Sequence, residues 1–202
     1  RDYLERALQI KESHYGPEHL EVAITLGSLG NAYAALGNAT KHRDYLERAL
    51  RIKESHYGPE HPEVARTLNN LAAASAKLGD LPSAHEQVKR ALRIFEASSL
   101  GAEHPHALAV KQSLATIEMK QQVQEMLRAA RLELEETLAT EERSLGLRHP
   151  DVARTLTKLA ELHGSVGDVA KTRELLEKAL DIQQECLESP CQEIASTLAE
   201  LG

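Results

Sequence analysis

The sequence predicts an all-α protein, a solenoid of antiparallel helix pairs, and three observations carry that expectation. The first is a phrase written twice. RDYLERALQIKESHYGPEH opens the chain at Arg1 and returns from Arg43, with Arg51 in place of Gln9. The second is a set of weaker echoes: GPEHLEVAITL (16–26), GPEHPEVARTL (58–68), GAEHPHALAVK (101–111) and GLRHPDVARTL (146–156). They keep one histidine, at His19, His61, His104 and His149, with separations of 42, 43 and 45 residues. Self-similarity at this period is the mark of stacked supersecondary units. The third is composition. The 202 residues are 42% hydrophobic but 3% aromatic, with no Trp and a single Phe95. Alanine and leucine must fill the interior, and that suits closely packed helices.

The histidine register divides the chain. Residues 1–18 read as the second helix of a truncated repeat, 19–60 and 61–103 as two full repeats, and 104–148 as a degenerate one. Residues 149–189 form another good repeat, and 190–202, with ESPCQEIASTL at 188–198, the first helix of a further one. In each unit the first helix follows the pattern of HPEVARTLNNLAAASAKLGD (61–80). Pro62 suits a first helical turn and Glu63 its positive dipole end. Val64, Leu68, Leu71, Ala72 and Leu78 recur at helical spacing, and Gly79-Asp80 ends the run. The second helix follows RDYLERALRIKESHY (43–57). It carries one stripe of Leu46, Ala49 and Leu50 and another of Tyr45, Ala49, Ile52 and His56, as a helix sandwiched between neighbours requires. Gly58-Pro59 breaks it. The degenerate unit has Lys120-Gln121-Gln122 where the others have a turn glycine, so a lengthened or shifted second helix is expected around 123–142.

Charge and cysteine content exclude several classes. The net charge is −7 and the isoelectric point about 5.8, against the basic surplus of a general nucleic-acid binder. No apolar run approaches the length needed to span a bilayer. Cys186 and Cys191 are too few for a disulfide framework and too isolated for a zinc site, and a reducing, cytoplasmic compartment is expected. The chain opens at Arg1 inside a repeated phrase, so the true N-terminus and any targeting signal are expected to lie upstream.

The small residues of the first helices, the glycine that ends them and the alanine of the second resemble the tetratricopeptide repeat, in its 42-residue kinesin-light-chain form. The matching positions are Leu29-Gly30, Tyr33, Gly37 and Ala49 in one repeat. Leu71-Ala72, Ser75, Gly79, Ala84 and Ala91 match in the next, and Leu159-Ala160, His163, Gly167 and Ala179 in the fourth. TLNNLA (67–72) and GPEHPEV (58–64) are especially similar to that form. His42 and Thr172 depart from it, standing where a small alanine is usual. The resemblance implies a right-handed superhelix whose first helices line a concave, peptide-binding surface.

Ten histidines do not make a metal site, because His19, His61, His104 and His149 are one position copied along a rod and His14 and His56 another, and EHPH (103–106) reads as a turn cap. No metal or other cofactor is expected. Neither a phosphate-cradling loop nor a nucleophile elbow is present, and the Glu-rich 132–142 reads as a solvated helix face, so no enzymatic activity is expected. The resemblance instead implies a peptide site built from Ser28, Asn31, Arg66, Asn69, Asn70, Lys77, Arg154, Thr157 and Lys158. Gln112, Thr116 and Lys120 join them if the degenerate register holds. The expected groove carries Arg66, Lys77, Lys120, Arg154 and Lys158 against mainly Glu161 and Glu200. With Asn69 and Asn70 as backbone clamps, it favours an extended segment containing Asp or Glu. Two alternatives stand beside this reading. One is a structural subunit packing through its ends, where Leu4, Ala7, Leu8, Leu198 and Leu201 present apolar faces, or through its convex face. The other is a regulatory arm of a larger enzyme.

Overall fold

A computed structural model describes the backbone at residues 2–98, 101 and 103–201, and the side chains of these residues up to Glu185. Among the described residues eight helices follow one another: α1 (Asp2–Tyr15), α2 (Leu20–Ala35), α3 (Ala39–Tyr57), α4 (Pro62–Lys77), α5 (Leu81–Ala97), α6 (Pro105–Leu145), α7 (Pro150–Ser165) and α8 (Val169–Leu201). The architecture is all-α and built from antiparallel helix pairs. Two compact units divide the chain, residues 1–122 and 123–202.

The repeated histidine has a structural duty. Imidazole Nδ1 of His19, His61 and His149 accepts the backbone N–H of Glu21, Glu63 and Asp151 at 3.2, 3.1 and 3.2 Å, capping α2, α4 and α7. His104 does the same for His106 at 3.3 Å. An N-cap acceptor satisfies a donor that the first helical turn leaves open. The glycine that ends a first helix sets up a second cap. Gly79 adopts φ +82°, a region that favours glycine. This lets the Asp80 N–H reach the Ser75 carbonyl at 3.0 Å, while the Asp80 carboxylate accepts from Ser83 N–H at 3.1 Å and starts α5. Asn38 and Asp168 repeat the arrangement ahead of α3 and α8.

Packing in the first unit is two-sided, as expected for α3. Ala49 and Ile52 join Val22, Ala23 and Leu26 of α2, with Tyr45 and Leu8 against them. Leu50 turns the other way, onto the cluster of Val64, Leu68, Ala84, Val88 and Phe95 that α6 completes with Ala107, Val110 and Ile117. Two expected core members are surface residues. His56 is exposed, and Leu78, at the α4 C-cap, is 38% exposed. In the second unit Val152, Leu156 and Leu159 of α7 pack on Leu175, Ala179 and Ile182 of α8, with Leu134 and Leu138 of α6 alongside.

Helix bounds differ from expectation in two places. The turn expected at 120–122 is absent, and α6 is one helix of 41 residues. Lys120, Gln121 and Gln122 all favour helix, and none relieves the strain of a left-handed turn. Gln121 instead donates to the Leu81 carbonyl at 3.4 Å. Likewise α8 runs unbroken over Val169–Leu201, through the boundary set at 189–190. Cys186, Cys191, Leu198, Glu200 and Leu201 lie outside the residues whose side chains are described.

Candidate concave groove and family membership

Within the first unit the first helices α2, α4 and the start of α6 line two hollows. The first has a volume of about 170 Å³. It holds Ser28 and Asn31 from α2, Arg66 and Asn70 from α4, and an apolar floor of Ala23, Leu46 and Ala49. Four of the expected site residues thus meet in one place. The second, of about 480 Å³, lies between α4 and α6. Lys77 and Lys120 line it with Gln112, Ser113 and Thr116, over Ala73, Ala76, Ala109 and Ile117.

Two residues that sequence reasoning missed set the charge of the first hollow. Lys53 of α3 is nearly buried, and its ammonium lies 3.3 Å from Glu63 Oε2 and 3.1 Å from Thr67 Oγ1. The other Glu63 oxygen takes Arg66 Nη1 at 3.0 Å. A buried ammonium needs such partners. Lining charges of Lys53, Arg66 and Glu63 leave the hollow at about one positive charge, because Glu63 offsets one of the two cations and pairs with both. The signal was in the repeat. Lys11 and Glu21 occupy the same two positions one unit earlier and pair at 2.7 Å, and Lys11 holds the Glu21 carboxyl below its ordinary range by hydrogen bond and charge.

The second hollow is different. Its lining carries Lys77 and Lys120 and no carboxylate. Lys77 also lies near His42, whose imidazole is pushed below its ordinary pKa first by burial and then by the Lys77 charge.

The remaining site residues fall elsewhere. Asn69 lines neither hollow; its Oδ1 is buried and makes no hydrogen bond. Arg154, Thr157 and Lys158 lie on α7, in the second unit. Arg154 pairs with Asp151 on its own helix, and Thr157 Oγ1 donates to the Ala153 carbonyl at 3.0 Å. Among the described residues no group of His, Cys, Asp and Glu could hold a metal ion, and no helix is long and apolar enough to cross a membrane.

Helix pairs joined by glycine turns, at a 42-residue period and with a lined groove on the first helices, define a helical-repeat interaction scaffold. Residues 1–55 and 33–97 match one tetratricopeptide-repeat model, and residues 152–189 match another. The chain belongs to the tetratricopeptide-repeat family, whose repeats mediate protein–protein interaction and whose fold is a non-enzymatic scaffold. The stretch between the matches contains all of the unbroken α6. Among solved structures the chain is similar to a Podosopora anserina protein described as a kinesin light chain with nearly identical TPR-like repeats. Identity is 26%, the TM-score is 0.55, and the match covers 92% of this chain and 86% of that one. A point-substituted form of that protein matches equally, at 26% identity and a TM-score of 0.55, over 93% and 86% of the two chains. No curated protein matches the chain.

Proposed function

We infer that the first unit binds an extended, acidic peptide segment of another protein along α2, α4 and α6. The carrying observation is the second hollow, where Lys77 and Lys120 stand over an alanine floor without a carboxylate among its lining residues. Ammonium groups left uncompensated on a concave surface attract carboxylates and set register. Asn31 and Asn70, in the neighbouring hollow, each offer a donor and an acceptor to a peptide backbone. Arg154, Thr157 and Lys158 extend the proposal to α7 as a separate contact set.

The test is capture from a peptide library by the 202-residue chain, beside an Asn70→Ala/Lys77→Glu/Lys120→Glu variant. Acidic peptides held by the wild type and lost by the variant support the reading. Capture without acidic preference, or equally by both proteins, ends it.

A second reading, assembly through α1, rests on one contrast. Tyr3 and Ile10 are 91% and 59% exposed, whereas their repeat equivalents Tyr45 and Ile52 pack onto α2, Ile52 at 1%. Light scattering of wild type and a Tyr3→Ser/Ile10→Ser variant tests it, since assembly through this face requires the variant to be smaller.

A further inference from the structure

In each regular repeat the first and second helices touch through one small-residue contact. Gly30 meets His42, Ala72 and Ala84 share one buried cluster, and the Thr172 hydroxyl lies 3.4 Å from the Ala160 carbonyl. Gly30, Ala72 and Ala160 each stand eleven residues after the capping histidine, and His42 stands sixteen before Gly58. By the same counts from His104 and Gly146, the two sides of this contact in the degenerate repeat are Ala115 and Ala130. Both lie on α6, one helix from Pro105 to Leu145. A helical separation of fifteen residues holds them about 22 Å apart, so they cannot meet within one chain.

The contact is therefore vacant. Ala72 and Ala84 are fully buried, whereas Ala115 is exposed and Ala130 half-buried. Between them run Met119, Val123 and Met126, which are 67%, 51% and 64% exposed. The five residues fall at i, i+4, i+8, i+11 and i+15, one stripe of a single helix. The packed faces of α6 lie elsewhere: Ala107, Val110 and Ile117 join one cluster, Leu134 and Leu138 another, and the stripe belongs to neither. Large apolar side chains exposed in a row mark an interaction surface, and methionine adapts to a partner's shape.

We propose that a second copy of this chain fills the vacancy, its α6 pairing antiparallel with α6 of the first about a two-fold axis near Gln122 and Val123. Ala115 of one copy then meets Ala130 of the other, which restores across two chains the contact that the regular repeats make within one. The same register sets Met119 against Met126 and places Val123 beside the axis. Each contact occurs twice, as a two-fold interface requires.

Glu133, which continues the stripe, decides the orientation. In a parallel, in-register pair it would face its own copy, and residues 123–145, with six glutamates against three arginines, would lie along their like. The antiparallel pair sets Glu133 against Gln112, whose amide can donate to it. Lys120 stands about 100° round the helix from Met119 and stays on the acidic-peptide hollow, so the inference is independent of that reading.

Sedimentation velocity of the 202-residue chain over roughly 1–300 μM, where weak associations titrate, is expected to show the mass rising from 22.3 kDa toward twice that value. Met119→Lys/Met126→Lys sets like charges against each other in both contacts. It raises the concentration of half-dimerisation at least about tenfold, with helicity by circular dichroism unchanged because both side chains are exposed. Met119→Lys/Met126→Glu sets opposite charges across the antiparallel pair and returns that concentration to within about threefold of wild type. A parallel pair would instead set like against like. In a Cys186→Ser/Cys191→Ser background, Ala115→Cys mixed with Ala130→Cys forms a disulfide-linked dimer on oxidation, and Ala115→Cys alone forms none. Tyr3→Ser/Ile10→Ser leaves the dimer intact, which separates it from assembly through α1. A monomer at every concentration overturns the proposal. So do a dimer indifferent to the lysine pair, one not recovered by the lysine and glutamate pair, self-linking of Ala115→Cys, and loss of the dimer in Tyr3→Ser/Ile10→Ser.

Discussion

Gly30 of α2 packs against His42 of α3 so closely that a methyl group at Gly30 would lie 3.4 Å from His42 Cδ2 and 3.3 Å from Leu46 Cγ. The equivalent pair in the next repeat is Ala72 with Ala84, both fully buried. In the fourth repeat it is Ala160 with Thr172, whose hydroxyl lies 3.4 Å from the Ala160 carbonyl. One contact between first and second helix is therefore filled three ways, and the largest side chain faces the smallest. The departure at His42 is compensated by its neighbour.

That compensation predicts coupling. Gly30→Ala gains about 1 kcal/mol of helix propensity and loses about 1–3 kcal/mol to crowding against His42 and Leu46. His42→Ala removes much of the crowding. A double-mutant cycle read by urea denaturation is expected to show Gly30→Ala more favourable in the His42→Ala background by about 1 kcal/mol. Additivity would mean that Gly30 and His42 do not share the space.

His42 also predicts a pH response. The side chain is 5% exposed, and both ring nitrogens are buried without a hydrogen bond. Burial first, and the Lys77 charge second, depress its folded pKa. Its neighbours Gly30 and Leu46 supply no counter-charge. The unfolded chain therefore binds the proton more readily, near the ordinary histidine value of about 6.5. The neutral ring's contribution is complete above that value and is lost as pH falls below it, toward the folded pKa. Stability of wild type is expected to drop from pH 7.5 to pH 5.5 by more than that of His42→Ala, on the order of a fraction of one linked proton. Parallel profiles for the two proteins would remove His42 as a titrating group.

Lys53, Glu63 and Thr67 predict an asymmetry. Removing the acid leaves a nearly buried ammonium with Thr67 alone, whereas replacing the lysine by methionine leaves a carboxylate that keeps Arg66. Breaking one side of a buried pair costs more than replacing the charge by an apolar chain of similar shape. Glu63→Ala is expected to cost about 2 kcal/mol, discounted for the partial exposure of the carboxylate, and Lys53→Met less than about 1 kcal/mol. Equal losses would show that the pair acts through packing rather than charge.

The sequence made the helix pairs, their caps and the all-α class legible because each is written several times in local chemistry: a histidine cap, a glycine turn, an Asp or Asn cap. The site was less legible. Ser28, Asn31, Arg66 and Asn70 come together in one hollow because first-helix register places them on one side. Lys53 and Glu63 were missed because they come from different helices and meet only when α3 packs on α4. Asn69 stands about 100° round the helix from Asn70, on the side where its Oδ1 is buried, and does not line that hollow. The length of α6 failed for another reason: the repeat template demands a turn there, while the local sequence has no residue to make one.

The continuity of α6 can be tested at Gln122, which is exposed. If a turn joined two helices there, as Gly37, Gly79 and Gly167 do in their repeats, proline would be tolerated or even favoured in the connection. In an unbroken helix it removes one backbone hydrogen bond and clashes with the carbonyl of the residue four before it, Glu118. Gln122→Pro is therefore expected to cost about 3 kcal/mol, and Gln122→Gly about 1 kcal/mol. Helicity by circular dichroism should fall with the proline variant and change little with glycine. A proline variant as stable as wild type would restore the helix-turn-helix that the repeat pattern alone suggests.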